Sequence, residues 1–198
     1  SVVTRQMMED RGIQTTADAL QSAPGISVTR SDTNRYSFSS RGFGIDNYQF
    51  DGWTQPVLSP WAFGESNLDL VVFDRVEVVR GATGLMTGAG NPGASVNIVR
   101  KRATSDVFTG TASVGIGSWD QHRGTIDLST PLNKDGTVRA RVAGMMEERD
   151  SYIDRYHTRN RAWLATAEAD LTADTTVRVG VEHQAKRPTG VTWGGLPT

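Results

Sequence analysis

The chain has 198 residues, enough for one large domain or two small ones. Its formal net charge is −1 and its pI is about 6.3, so the sequence carries no basic footprint for nucleic acid. Cysteine is absent, which excludes a disulfide framework and any thiolate ligand or nucleophile. Because His122, His157 and His183 are scattered without ligand spacing, we expect no metal bound directly by the protein.

The mean hydropathy is −0.40, and the sequence contains no run of about 20 apolar residues that would form a membrane-spanning helix. A membrane β-barrel is compatible with this value, since its strands alternate lipid-facing and interior residues. The chain begins Ser1-Val2-Val3 with neither a methionine nor a signal peptide, and we expect it to be a mature or truncated chain.

The first half of the chain alternates short helical and short strand patterns. They predict, in order, a strand at 1–4, helices at 5–11 and 17–22, strands at 26–30, 36–39 and 48–50, and a helical turn at 68–73. Gly12 is expected to end the first helix, and Thr16 to cap the second, whose Ala19 and Leu20 face inward. These elements suit a small α+β domain.

An aromatic, proline-broken segment at 53–67 is predicted to be a loop. It contains the aromatic residues Trp53, Trp61 and Phe63, and it is interrupted by Pro56, Pro60 and Gly64. The aromatic side chains either pack beneath the loop or form a ligand-facing apex, since recognition residues often lie on loops held by a rigid scaffold.

Two strand patterns, at 75–80 and 94–99, flank a glycine-rich loop at 81–93. In the second strand Val96 and Ile98 are expected to share one buried side. The loop contains the G-x-G-x-x-G string of dinucleotide-binding folds at 88–93, but that fingerprint must open a helix. A β-branched run follows instead, which argues against nucleotide binding.

From Val107 onward, five runs each repeat one apolar and one polar face. The apolar set is Phe108, Gly110, Ala112, Val114, Ile116; Ile126, Leu128; Val138, Ala140, Val142; Trp163, Ala165, Ala167, Ala169; and Val177, Val179, Val181. The polar set includes Arg123, Thr125, Asp127; Arg139, Arg141; Thr166, Glu168, Asp170; and Arg178, Glu182.

These five runs have two possible readings. A soluble sheet would cover the apolar face with its own helices, but no helical pattern after Val107 is available to do so. Short turns at 132–136 and 172–174, a longer loop at 148–161 and a short one at 118–121 instead favour a membrane β-barrel. Five strands cannot close a barrel, so we expect the chain to be part of a longer protein.

The sequence shows no nucleophile–base arrangement and no P-loop, so we do not expect an enzyme. Several motifs instead resemble, in order, those of TonB-dependent outer-membrane receptors, most closely receptors for ferric hydroxamate and pyoverdine-type siderophores. The matching strings are RVEVVRGATGLMTGAGNPGASVNIVRK at 75–101, SRGF at 40–43, YQFDG at 48–52 and WGGLP at 193–197. The likeness covers nearly all of the chain.

This resemblance implies an α+β plug domain at 1–103, followed at 104–198 by the first five antiparallel strands of a transmembrane β-barrel. It implies a bacterial outer-membrane receptor for ferric siderophores, energised by TonB with ExbB and ExbD, in contact with outer-membrane lipid. Iron would arrive chelated in the siderophore, so no cofactor is implied. A TonB box is implied upstream of Ser1.

The resemblance also implies site residues. Arg41, Trp61 and Trp193 match positions that contact the siderophore, where a planar guanidinium and aromatic walls suit a polar chelate. Arg75, Glu77 and Arg80 match a strand that locks the plug to barrel carboxylates, and the inward-facing Glu168, Asp170 and Glu182 are candidate partners. A haem or cobalamin receptor, a soluble α+β binding module and a passive porin remain alternatives.

Overall fold

The computed structural model describes residues 1–56, 67–81 and 92–192, and the chain divides into two compact units. The first unit comprises 1–100 and 191–198, and the second comprises 101–190. The boundary expected from the sequence, between 103 and 104, stays a prediction. Within the described ranges, no helix has the length and apolarity needed to cross a bilayer.

The first unit is a mixed α+β domain, as the sequence predicts. Its helices are α1 (Arg5–Arg11), α2 (Thr16–Ser22) and a 3-10 helix, η1 (Leu70–Val72). Its strands are β1 (Val2–Thr4), β2 (Ser27–Arg30), β3 (Tyr36–Ser40), β4 (Phe43–Gly44), β5 (Asn47–Phe50), β6 (Trp53–Pro56), β7 (Phe73–Arg80) and β8 (Ala94–Arg100). One sheet has the order β1-β7-β8-β5-β6 and the other β2-β3-β4. Only the β5–β8 pair is parallel among the described pairings.

Local capping ends helix α1 and begins helix α2. Gly12 follows α1 with φ 64°, the left-handed conformation that glycine adopts readily. Thr15 is the N-cap of α2, with a capping box to Asp18, so the expectation of Thr16 is wrong by one residue. Thr16 is helical, and its hydroxyl accepts a hydrogen bond from the backbone N–H of Leu68 at 2.8 Å.

Two strands differ from the sequence prediction. Both faces of β8 are buried, including Ser95 and Val99 beside Val96, because β8 lies centrally between β7 and β5. The expectation of one buried face was therefore wrong. The segment from Trp53 is not all loop: β6 pairs with β5 across a tight turn at Asp51 (φ 52°) and Gly52 (φ 85°).

The second unit is one five-stranded antiparallel sheet in simple succession. Its strands are β9 (Thr109–Gly117), β10 (Gln121–Pro131), β11 (Val138–Arg149), β12 (His157–Thr172) and β13 (Thr175–Thr189). The loop predicted at 148–161 shrinks to 150–156, because 158–161 pair with 146–149. The connections at 132–137 and 173–174 lie at the opposite end of the strands, and the connection at 118–120 lies at the same end as 150–156.

Candidate functional site

The exposed face of the five-stranded sheet is apolar. Val114 on β9 is 90% exposed and Val179 on β13 is 64% exposed. The pairing register aligns the sequence-predicted apolar residues across all five strands, for example Leu128 with Val142, and Ala165 with Val181. A soluble antiparallel sheet does the reverse, with its apolar side covered and its polar side in water.

The opposite face carries the charged side chains, and its centre is buried. Glu168 on β12 is 1% exposed, although a carboxylate is rarely buried without a partner. Arg102 provides that partner, donating from Nε to Oε1 at 2.9 Å and from Nη2 to Oε2 at 2.7 Å. This two-pronged geometry is the strongest form of an arginine–carboxylate pair.

A second carboxylate on this face, Asp127 of β10, forms ion pairs with two basic side chains. Lys101 donates to Oδ2 at 2.6 Å, and its own side chain is only 3% exposed. Arg141 of β11 donates from Nε and Nη2 to the two carboxylate oxygens, each at 2.8 Å. Burial of the lysine is tolerable because its charge is matched at hydrogen-bonding distance.

The backbone of the same segment is also fastened to the sheet. Arg141 donates from Nη1 to the carbonyl of Arg102 at 3.1 Å, and Arg139 donates from Nε to the carbonyl of Ala103 at 3.1 Å. Arg139 is held in turn by Asp170 at 2.8 Å. Residues 101–103 are thus tied to β10, β11 and β12. We call this segment the tether.

In the first unit, Arg41 lies at the tip of the β3–β4 hairpin. Its φ of 53°, followed by 83° at Gly42, makes the two-residue turn that joins antiparallel strands tightly. The side chain is exposed, and its guanidinium lies beside Gly81. Gly93 packs against the carbonyls of Ser40 and Phe43, where a Cβ would sit 3.1 to 3.3 Å away. The hairpin tip therefore borders both ends of the glycine-rich segment.

Comparison with known proteins gives the family of the first unit. Residues 1–95 match the family described as "TonB-dependent Receptor Plug Domain". Residues 1–95 belong to the TonB-dependent receptor plug domain family. The ferripyoverdine receptor of Pseudomonas aeruginosa is 39% identical over 196 residues, covering 98% of this chain and 24% of that protein.

Solved structures agree with this assignment. The crystal structure of the Pseudomonas aeruginosa ferripyoverdine receptor bound to ferripyoverdine matches with a TM-score of 0.94, over 98% of this chain and 26% of that one. The alcaligin outer-membrane receptor FauA of Bordetella pertussis is 50% identical, with a TM-score of 0.84 over 94% of this chain and 32% of that one. The chain spans about a quarter of the length of its curated relative, 24%.

The predicted lock residues lie on plug strand β7. Arg75 donates from Nε to Glu77 at 2.7 Å, and Asn97 of β8 donates to the other oxygen of Glu77 at 2.9 Å. The hydrogen bond from Asn97 lowers the pKa of Glu77, burial opposes this, and Arg75 reinforces it. Arg80 is exposed, with its guanidinium beside Gly25, and has no described ion pair. Whether these residues lock the plug stays a prediction.

A buried ion pair stabilises the plug turn at 31–35. Asp32 accepts hydrogen bonds from the backbone N–H groups of Asn34 and Arg35, each at 2.8 Å, and pairs with the Arg35 guanidinium. Burial acts to raise the pKa of Asp32, but these hydrogen bonds outweigh it and the pKa is lowered. The turn also contacts the last described residue, because the backbone N–H of Thr192 donates a hydrogen bond to Thr33 Oγ1 at 3.2 Å.

Several predicted features lie outside the described residues. These are Trp61, Trp193 and most of the glycine-rich loop. Their proposed roles therefore stay predictions. The sequence argument against a dinucleotide site agrees with the structure at one point, because strand β8 and not a helix begins at Ala94.

Sequence reasoning missed the tether. It offered Glu168 and Asp170 as partners of β7 arginines, whereas their described partners are Arg102 and Arg139. A usable signal was present, because Arg100-Lys101-Arg102 is a basic run directly before strands whose inward faces carry carboxylates. In the described part of the chain, no group of three or more potential metal-ligating side chains is placed to hold a metal ion.

Proposed function

We propose that this chain is the plug and the first five barrel strands of a bacterial outer-membrane receptor that imports ferric siderophores with energy from TonB. The observation that carries the proposal is the sheet of the second unit, whose apolar face is exposed and whose charged face is buried at its centre. This sheet follows a plug-family domain in the same chain. ExbB and ExbD would support TonB, and iron would enter already chelated.

The dimensions of the apolar face support a membrane location. On β12 the outward-facing positions from Trp163 to Leu171 are all apolar, a stretch of nine residues. A tilted strand needs roughly 9–11 residues to cross the hydrocarbon core. Trp163 stands at one end of this stretch, where membrane barrels carry aromatic residues.

A ferric siderophore is the substrate class that the relatives favour. The two similar receptors are named for ferripyoverdine and alcaligin, and both names describe receptors rather than enzymes. Arg41 suits recognition of such a chelate, because it is exposed at a hairpin tip held in a fixed turn. Its planar fork can donate two hydrogen bonds to chelate oxygens. We propose Trp61 and Trp193 as aromatic walls.

The charged contacts suggest how the plug is held and released. We propose that Arg75, Glu77 and Arg80 contribute a lock to carboxylates of the complete barrel. The tether would keep the end of the plug sequence fixed to the first strands while force from TonB acts elsewhere. Removing one side of a buried ion pair is costly, so such contacts favour a discrete two-state change.

Uptake by the full-length receptor tests the proposal. The receptor is expressed in a host without its own siderophore receptors, and uptake of radiolabelled iron is measured with ferripyoverdine, ferric alcaligin and ferrioxamine B. We expect uptake with at least one of them, and loss of that uptake when TonB is deleted. Uptake of haem or cobalamin only would reject the substrate class, and uptake independent of TonB would indicate a porin.

A variant pair tests Arg41. Arg41→Ala is expected to raise the Kd of the transported siderophore about tenfold or more, since a hydrogen bond from a charged donor contributes about 1.5–3 kcal/mol. Arg11→Ala is the matched control, because Arg11 is an exposed arginine elsewhere in the first unit. Equal Kd values for the two variants would remove Arg41 from the site.

A further inference from the structure

Beyond the apolar stretch, the outward face of β12 and β13 becomes basic. The residues concerned, which we call the rim patch, are His157, Arg159, Arg161, His183 and Arg187. They line a cleft of about 610 Å³ together with Trp163. The patch thus begins where the apolar stretch ends, one outward-facing position beyond Trp163.

The protein supplies acidic partners for only part of the rim patch. Arg159 lies directly opposite Arg187 in the strand register, an arrangement that is destabilising between like charges. Glu148 accepts from Arg159 at 2.7 Å, and His157 lies 2.7 Å from Asp150 and 3.2 Å from Glu148. Within the described residues, Arg161 and Arg187 have no hydrogen bond or ion pair to an acidic group.

The position of the patch along the strands indicates which side of the membrane it faces. Of the four connections between the strands, the shortest, 173–174, lies at the far end of the sheet together with 132–137. The longest, 150–156, adjoins the patch, at the same end as 118–120. In outer-membrane barrels the short turns are periplasmic and the longer loops extracellular. The rim patch therefore lies at the level of the outer-leaflet headgroups.

We propose that the rim patch binds the phosphate groups of an outer-leaflet glycolipid of the lipid A type. Guanidinium groups match phosphate oxygens in a two-pronged geometry, and basic clusters next to an apolar membrane-facing surface recognise anionic headgroups. The apolar stretch below, from Trp163 through Ala165, would contact the acyl chains. A lipid is favoured over a free anion because it alone would use both surfaces. This inference rests on the proposed membrane location.

Titration of the purified full-length receptor with lipid A carrying two phosphates tests the proposal. The double variant Arg161→Gln/Arg187→Gln is compared with Arg149→Gln/Arg178→Gln, which removes the same charge from the opposite face of the sheet. We expect the Kd for lipid A to rise at least about tenfold in the first variant, since charge-assisted hydrogen bonds are lost. The Kd of the control variant for lipid A should stay within about twofold of the wild-type value.

Further arms identify the source of the phosphate. Lipid A without phosphates should bind the wild type as weakly as bisphosphorylated lipid A binds the rim-patch variant. Inorganic phosphate at millimolar concentration should not displace bound lipid A. Unchanged binding in the rim-patch variant, an equal loss in the control, or displacement by inorganic phosphate would each overturn the assignment.

Two measurements on the same preparations separate this inference from the proposed function. The heat-dependent gel shift of folded barrels should be preserved in both variants, which shows that a loss of binding is not unfolding. Siderophore binding should also be preserved. A wild-type receptor that binds lipid A but no ferric siderophore would reject the proposed substrate and leave the rim patch supported.

Discussion

Val179→Arg tests whether the apolar face meets lipid or water. Val179 is on the outward face of β13 and is 64% exposed. It lies four residues from Thr175 at the turn and four from His183 at the other edge, about 13 Å along the strand in each direction. It is therefore near the middle of the apolar stretch.

The two environments predict very different free energies of unfolding for this variant. An exposed substitution in water usually changes stability by no more than about 0.5 kcal/mol. At the bilayer midplane an outward-facing arginine costs about 2–4 kcal/mol, or about 30- to 900-fold in the folding equilibrium. Thr175→Arg, at the edge of the stretch, should cost only about 0–1 kcal/mol.

The assay is urea unfolding of the full-length receptor reconstituted into phosphatidylcholine vesicles, followed by tryptophan fluorescence. The difference between the two variants is more informative than either value, because both add the same charge to the same strand. Equal, small effects of Val179→Arg and Thr175→Arg would show that the face is not in lipid and would refute the reasoning.

Three further predictions concern contacts within each unit. Arg102→Ala should destabilise by about 3 kcal/mol by leaving the buried Glu168 carboxylate unpaired, and adding Glu168→Gln should recover at least about 1 kcal/mol in a double-mutant cycle. Thr15→Ala should destabilise helix α2 by about 1 kcal/mol, measured as faster amide hydrogen exchange in that helix, while Thr15→Ser should not. Asp32→Asn should destabilise the plug at pH 7, and the difference from wild type should shrink towards about pH 2, measured by chemical unfolding at each pH.

The sign of the Asp32 prediction follows from its lowered folded-state pKa. A carboxyl group of this kind contributes fully above its unfolded pKa of about 3.9 and loses that contribution as the pH falls through the folded value. A pH-independent difference between Asp32→Asn and wild type would contradict it. For the tether, strictly additive effects of Arg102→Ala and Glu168→Gln would show that the two side chains do not interact.

Much of the fold was predictable from local pattern. Alternation over the last five runs gave the strands and their two faces, because a period of two leaves only one choice of face for each residue. Gly12 marked the end of α1 for a similarly local reason. The N-cap was missed by one residue because two consecutive threonines have equal capping chemistry, and only the backbone turn at Thr15 selects between them.

The remaining errors came from pairing between distant segments. The strand character of Trp53–Pro56 depends on a partner across the Asp51-Gly52 turn, and burial of both faces of β8 depends on its central place in the sheet. The loop at 148–161 was overestimated for the same reason. Charged residues at the two ends of this segment are typical of a loop. In the structure Glu148 and Arg159 instead extend β11 and β12, where they form an outward-facing cross-strand pair.

The sequence by itself determined which residues share a face, because strand periodicity and turn preferences depend only on the order of residues along the chain. Only the tertiary structure decided which face is covered and which cation meets which carboxylate. Arg102 and Glu168 are 66 residues apart, and nothing local specifies that they meet. Burial and ion pairing depend on the whole set of strands, so they are decided only when the sheet has formed.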